Sequence, residues 1–120
     1  MTIIKLKRVY EDYENTDGLR VLVDRLWPRG VKKEDLHYDL WAKDIAPSSD
    51  LRKWFHENPD KNRDQFSFLY QKELSESEPV KKFITEIKQH TTVTLLYASK
   101  NEDNNHALIL KQFLDKSMAE

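Results

Sequence analysis

Alternation marks the start of the chain: from Ile3 to Val9 the apolar Ile4 and Leu6 interleave with Lys5 and Lys7. That period of two belongs to a strand with one wet face, which suits a sheet edge. Glu11 to Gly18 is polar and closes on Asp17-Gly18, a pair suited to turns. Arg20 to Trp27 then reads as a second strand, and its Val21-Leu22-Val23 centre, apolar on both faces, places it inside a sheet. Trp27 precedes a proline and is held extended. Pro28 at the second and Gly30 at the fourth position suit a type I turn with Arg29 at its tip. A short helical turn is expected at Lys32 to Leu36, and Tyr38 to Ile45 fits strand or helix.

Helical spacing follows. Ser48 or Ser49 can cap a helix with Asp50 in its first turn and Leu51, Trp54 and Phe55 on one side. Asn58-Pro59 should end it. Asp60 can cap a second helix carrying the stripe Phe66, Leu69, Tyr70 and Leu74, and Pro79 can open a third with Val80, Phe83, Ile84 and Ile87. Thr92 to Ala98 is a short, β-branched, apolar run of the kind covered on both sides of a sheet. A last helix, about Asn105 to Lys116, packs through Ile109, Leu110, Phe113 and Leu114.

Strands that bracket a long helical crossover predict an α/β fold: a small single domain, residues 1–120, with a short, mostly parallel sheet flanked by helices in two or three layers. The second and last strands should be parallel, while the first could run either way. In such sheets the crevice lies beyond the carboxyl ends of the strands. Both DRLWPRG and YASKNEDNNHA sit there, so two stretches remote in sequence should converge.

Composition narrows the function classes. With 38% hydrophobic and 34% charged residues the chain matches a globular protein rather than a disordered one. No apolar run approaches the roughly 20 residues of a membrane span. The start, MTIIKLKR, lacks the pattern of a signal peptide, so a cytoplasmic location and no membrane partner are expected. Zero cysteine excludes disulfides, thiolate zinc sites and a cysteine nucleophile. His37, His56, His90 and His106 show no metal-ligand spacing, so neither a metal nor a cofactor is expected. A net charge of -1 speaks against wholesale nucleic-acid binding, yet the first 33 residues hold eight Lys/Arg against five Asp/Glu.

That surplus directs attention to the predicted crevice. Asn104 or Asn105 is a natural N-cap, so the free N–H groups of the last helix would face it, a geometry that binds anions. Lys100 adds a mobile charge, and Arg25 or Arg29 could fork onto the same oxyanion, each charge-assisted bond worth roughly 1.5 to 3 kcal/mol. Asp24 could orient an arginine or do acid/base work, or it could simply pair with Arg25, Arg20 or a lysine. His106 shares the face of Ile109 and Phe113, so it is an acid/base candidate and equally a structural histidine bonded to a carbonyl. Trp27, beside the turn, could stack on a ligand, whereas Trp41 and Trp54 read as core. Tyr97 could offer its hydroxyl to a ligand or cap the core. Ser48 is a cap first, and a nucleophile only if His106 lies within reach.

The blocks DRLWPRG, W-x-K-D-x-A-P-S, L-R-K-W-F and L-L-Y-A followed by N-H-A cover nearly the whole chain, which through them resembles the YeaO-like branch of the domain of unknown function 488. The resemblance implies a compact α/β fold and carries a site without a substrate. The positions it marks are Arg20, Asp24, Arg25, Trp27, Pro28, Arg29, Gly30, Lys43, Asp44, Ser48, Tyr97, Asn105 and His106. Another branch of the superfamily resembles L-L-C-A-E and C-H-R here, which sets its cysteines against Tyr97 and Asn105 and its arginine against Ala107. Any thiol chemistry in that branch is absent from this chain.

Three functions fit these residues. One is a small enzyme on a phosphate- or carboxylate-bearing molecule, with His106, Asp24 and Tyr97 catalytic and Arg25, Trp27, Arg29, Lys43, Ser48, Lys100 and Asn105 binding substrate. Another is a non-catalytic module for a nucleotide, nucleic-acid phosphates or a protein carboxylate, nucleic acid being the less favoured. The third is structural: a charged loop that is only an internal salt-bridge network. The oligomeric state is not fixed by the sequence.

Overall fold

The computed structural model describes residues 2–100 and 105–119. Four strands, β1 (Ile3–Arg8), β2 (Leu19–Leu22), β3 (Leu40–Trp41) and β4 (Thr92–Tyr97), form one sheet in the order β1-β4-β2-β3. Every pairing is parallel, β1 with the rest. Four helices follow the pattern of the sequence: α1 (Ser49–Glu57), α2 (Pro59–Glu76), α3 (Glu78–Ile87) and α4 (His106–Met118).

The pleat sorts side chains to two unlike faces. Ile4 of β1, Val21 of β2 and Val93, Leu95 and Tyr97 of β4 join residues of all four helices in the main core, among them Phe55, Phe66, Val80, Ile87 and Leu110. Leu22 and Leu96 point the other way and build a smaller cluster with Val9 and Leu36, closed by Trp27, Val31, Tyr38 and Trp41. Among the described residues no helix contributes to that second cluster; loops and Trp41 of β3 cover it. Of the two layerings open from sequence, the molecule therefore adopts the two-layer one.

Beside the smaller cluster the same face turns polar. Arg20 is 1% exposed, an expensive position for a guanidinium. It survives because Asp17, itself buried, binds its Nη1, and because its Nε donates to His37 O at 2.6 Å. Lys7 Nζ reaches Asp17 Oδ1 at 3.0 Å and Glu14 Oε1 at 2.9 Å. Gly18, at φ 65°, carries the chain from this knot into β2. A Cβ there would lie 2.2 Å from Thr92 O, so a glycine is required for both conformation and space.

Several sequence expectations need correction. The second strand ends at Leu22 rather than Trp27: Val23 N still bonds Leu96 O at 3.0 Å, but the chain leaves the sheet at Asp24. The turn lies one residue later than expected, because Gly30 has φ 79°, the value of the third position of a type II turn over Pro28 to Val31. The short helical turn expected at Lys32 to Leu36 is present as a single turn, with Asp35 N and Leu36 N both donating to Lys32 O at 3.0 and 3.2 Å. Tyr38 to Ile45 divides into β3 and a 3-10 turn, Lys43–Ile45. Asn58, not Asp60, caps α2: its side chain accepts from Lys61 N, and Pro59 fills the first helical position, where a missing N–H costs nothing.

Candidate functional site

Past the carboxyl ends of β2 and β4 the two remote segments meet. Asp24 Oδ2 accepts from Ala98 N at 2.9 Å, and His106 Nε2 lies 3.1 Å from Val23 O. Asp24 Oδ1 is sealed from solvent and faces the same imidazole nitrogen at 3.2 Å, too poorly aligned for a true hydrogen bond. Both neighbours of Nε2 are acceptors, so chemistry puts the ring proton on Nε2. Asn105 secures the start of α4, its side chain accepting from Leu108 N at 2.9 Å.

Around this pair opens a cleft of about 300 Å³. The loop after β2 supplies Asp24 to Arg29, the β4–α4 loop supplies Ala98, Ser99, Asn105 and His106, and α1 with its lead-in supplies Ala46, Pro47, Arg52, Phe55 and His56. Phe66 of α2 stacks on Phe55 with centroids 4.2 Å apart and closes the wall. Asp24 is the single carboxylate among these lining residues, against Arg25, Arg29 and Arg52. Arg25 donates to Pro47 O at 3.2 Å and, more weakly, to Ala46 O at 3.5 Å. Among the described residues none of the three arginines pairs with a carboxylate. The salt-bridge network allowed by the sequence thus exists elsewhere, between Arg20, Lys7 and Asp17, and not between Asp24 and the cleft arginines.

Both lips are braced from the end of β1 and the turn that follows it. Arg8 Nε donates to Ser99 O at 2.9 Å and Nη2 to Ala98 O at 3.2 Å, while the Tyr10 hydroxyl donates to Arg29 O at 3.0 Å. Arg8 also lies 4.9 Å over the Tyr10 ring, which links the two braces.

The sequence candidates fall into two groups. Asp24, Arg25, Trp27, Arg29, Asn105 and His106 line the cleft. Trp27 does so while serving the smaller core, its indole N–H donating to Val31 O at 2.6 Å. Lys43, Ser48, Tyr97 and Lys100 do not line it. Lys43 sits 4.9 Å over the Trp41 ring, and Ser48 caps α1 while its hydroxyl donates to Glu73 Oε2 at 2.7 Å. The condition set for Ser48 as a nucleophile, a bond to His106, is not met. Tyr97 packs in the main core, and Lys100 is exposed. Sequence reasoning missed Arg52, His56, Phe55 and Phe66. Arg52 stands inside the L-R-K-W-F block, and with His56 it has the spacing of helical neighbours, so a signal existed.

Among the described residues, no grouping of three or more His, Asp or Glu could hold a metal ion, and no helix is long and apolar enough to cross a membrane.

The family model described as the inactive DUF488-N3 subclade matches residues 3–120. The uncharacterized protein YeaO of Escherichia coli strain K12 is 47% identical over 111 residues, which covers 92% of this chain and 96% of that protein. The uncharacterized protein Rv3073c of Mycobacterium tuberculosis strain H37Rv is 40% identical over 114 residues, 95% of each chain. No solved structure matches. On the match across 3–120 and these full-length likenesses, the chain belongs to the DUF488 family, in its YeaO-like branch.

Proposed function

We propose that the cleft binds a small molecule through a phosphate or carboxylate group and holds it without chemical change. The observation that carries this reading is the trio Arg25, Arg29 and Arg52, unpaired with any described carboxylate around a hollow whose one acid among the described lining residues, Asp24, is turned toward Ala98 N and His106. Guanidinium groups match an oxyanion's geometry, and partial desolvation raises the worth of each contact to roughly 1.5 to 3 kcal/mol. The opening turn of α4, with Asn105 and His106, adds the partial positive charge of a helix start. A hollow of about 300 Å³ suits one small ligand and not a tracked nucleic-acid backbone.

Binding without turnover is favoured over catalysis for three reasons. The lining residues bring one hydroxyl, Ser99, and the chain has no thiol. His106 Nε2 is engaged by Val23 O and Asp24. The matched family is described as inactive. A second reading, acid/base catalysis by His106, draws on the 3.2 Å contact with Asp24, since a carboxylate that orients an imidazole recurs in hydrolytic sites.

One experiment separates them. Titration with inorganic phosphate at low ionic strength, followed by amide NMR shifts, should saturate with changes centred on Asp24 to Arg29, Ala98 and His106. Aryl phosphates and acyl esters should then be turned over no faster than the blank. Turnover by wild type that His106→Ala abolishes would replace binding with the enzymatic reading.

A further inference from the structure

The cleft's lining joins charged side chains to an apolar set. Trp27 and Pro28 come from one side, Phe55 and Phe66 from another, and these rings with Ala98 leave an apolar interior. Leu26, between Arg25 and Trp27, is 64% exposed, second among the described large hydrophobics to Phe68 at 67%. Leu26 also lines a second, more open hollow, together with Arg25, Arg52 and His56, and all four side chains are shared by both hollows. They form a ridge, Arg25 and Arg52 with His56 and Leu26, shared by the two hollows. An exposed leucine on such a ridge gains nothing from a bare, strongly hydrated oxyanion. It gains from a ligand that covers it.

Resting on the anion-binding reading, we infer that the ligand is an arene bearing one oxyanion head: the head on Arg25, Arg52 and His56, the flat ring inside the cleft beside Trp27 and Phe55, and Leu26 folded over its edge. The cleft, at the small end of ligand pockets, takes a single ring. Phosphate and carboxylate heads share the chemistry the ridge recognises.

The test compares two pairs of probes on the full chain by calorimetric titration at low ionic strength: phenyl phosphate against inorganic phosphate, and benzoate against acetate. The arene should bind at least about tenfold tighter in one pair, which also identifies the head, because ring burial adds to the same charge contacts. Leu26→Ala, a change at an exposed position, should shrink that ratio at least about threefold. A ratio near one in both pairs, with phosphate or acetate still bound, overturns the aromatic assignment and leaves the anion site standing. A high ratio that Leu26→Ala leaves intact overturns it too, since the ring then lies elsewhere. If no anion binds, both readings fall together.

Discussion

His106 and Asp24 meet at 3.2 Å, Nε2 to Oδ1, across two loops that carry the carboxyl ends of adjacent parallel strands. The imidazole also faces Val23 O, 83 positions away in sequence, and Asp24 Oδ2 takes the Ala98 amide. One aspartate and one histidine thereby tie the two lips of the cleft. The neutral ring should carry its proton on Nε2, as imidazole ¹⁵N shifts will report; an Nδ1–H ring would contradict the arrangement. Asp24→Ala should cost about 1 to 3 kcal/mol in urea unfolding, because the Ala98 amide loses its acceptor. Asp24→Asn, which keeps an acceptor, should cost less.

Asp17 ties a different part of the chain, and its signature is a dependence on pH. Burial pushes its carboxyl up, but the Glu14 amide, the Lys7 ammonium and the Arg20 guanidinium outweigh burial and hold it below the ordinary 3.8. A depressed carboxyl stabilises the fold above its unfolded value and loses that contribution as pH falls through the folded one. For Lys7, burial acts downward, while Glu14 and Asp17 raise it above 10.5, so its contribution is full below 10.5 and lost as pH climbs through the folded value. Urea midpoints should therefore fall below about pH 3.8 and again above about pH 10.5. Asp17→Asn should remove the part of the acid limb due to this residue. It should also cost about 3 kcal/mol or more, since Arg20 would remain buried without its partner.

The two glycines separate conformation from space. Both have positive φ, 65° at Gly18 and 79° at Gly30. An added Cβ at Gly18 meets the Thr92 backbone, whereas at Gly30 it meets nothing within 4 Å. Gly30→Ala should cost about 1 to 2 kcal/mol, the conformational penalty alone. Gly18→Ala should cost several kcal/mol, because β2 would have to move off β4. Equal losses in chemical unfolding would contradict the close approach.

Tyr70 is 1% exposed, and its hydroxyl donates to Ile45 O at 2.6 Å. Burial first, then the charges of Glu73 and Asp24, pushes its ionisation well above the ordinary 10.0, with Arg25 opposing. In a pH titration by ultraviolet absorption, this phenol should stay neutral until the protein unfolds. Tyr70→Phe should cost about 1 to 3 kcal/mol by leaving the Ile45 carbonyl unpaired.

Much of this was readable from the residues, and what was not has physical causes. The run Val21 to Val23 fixed a central strand because both of its faces are apolar, and Thr92 to Tyr97 did the same. Asn105 as a cap and the convergence of the DRLWPRG segment on the start of α4 followed from strand-end logic. The short β3 carried too few residues to declare a period. Arg20 looked like its neighbours Arg25 and Arg29, since one-dimensional spacing does not tell a guanidinium locked to Asp17 from one left facing a cleft. Phe55 and Phe66 were read as helix stripes and Arg52 was given no role, and all three line the site because α1 and α2 bring them to it, a tertiary fact that helical periodicity does not contain.

Arg52→Ala bears most directly on the central claim, because Arg52 lies on a helix surface and makes no ion pair among the described residues. Its phosphate affinity should be measured against wild type by calorimetry at low ionic strength, with thermal unfolding as the check on folding. A loss of about tenfold or more with an unchanged melting transition is expected, one charge-assisted contact being worth roughly 1.5 to 3 kcal/mol. Phosphate affinity equal to wild type, or binding of neither phosphate nor acetate by either protein, would contradict an anion site at this cleft.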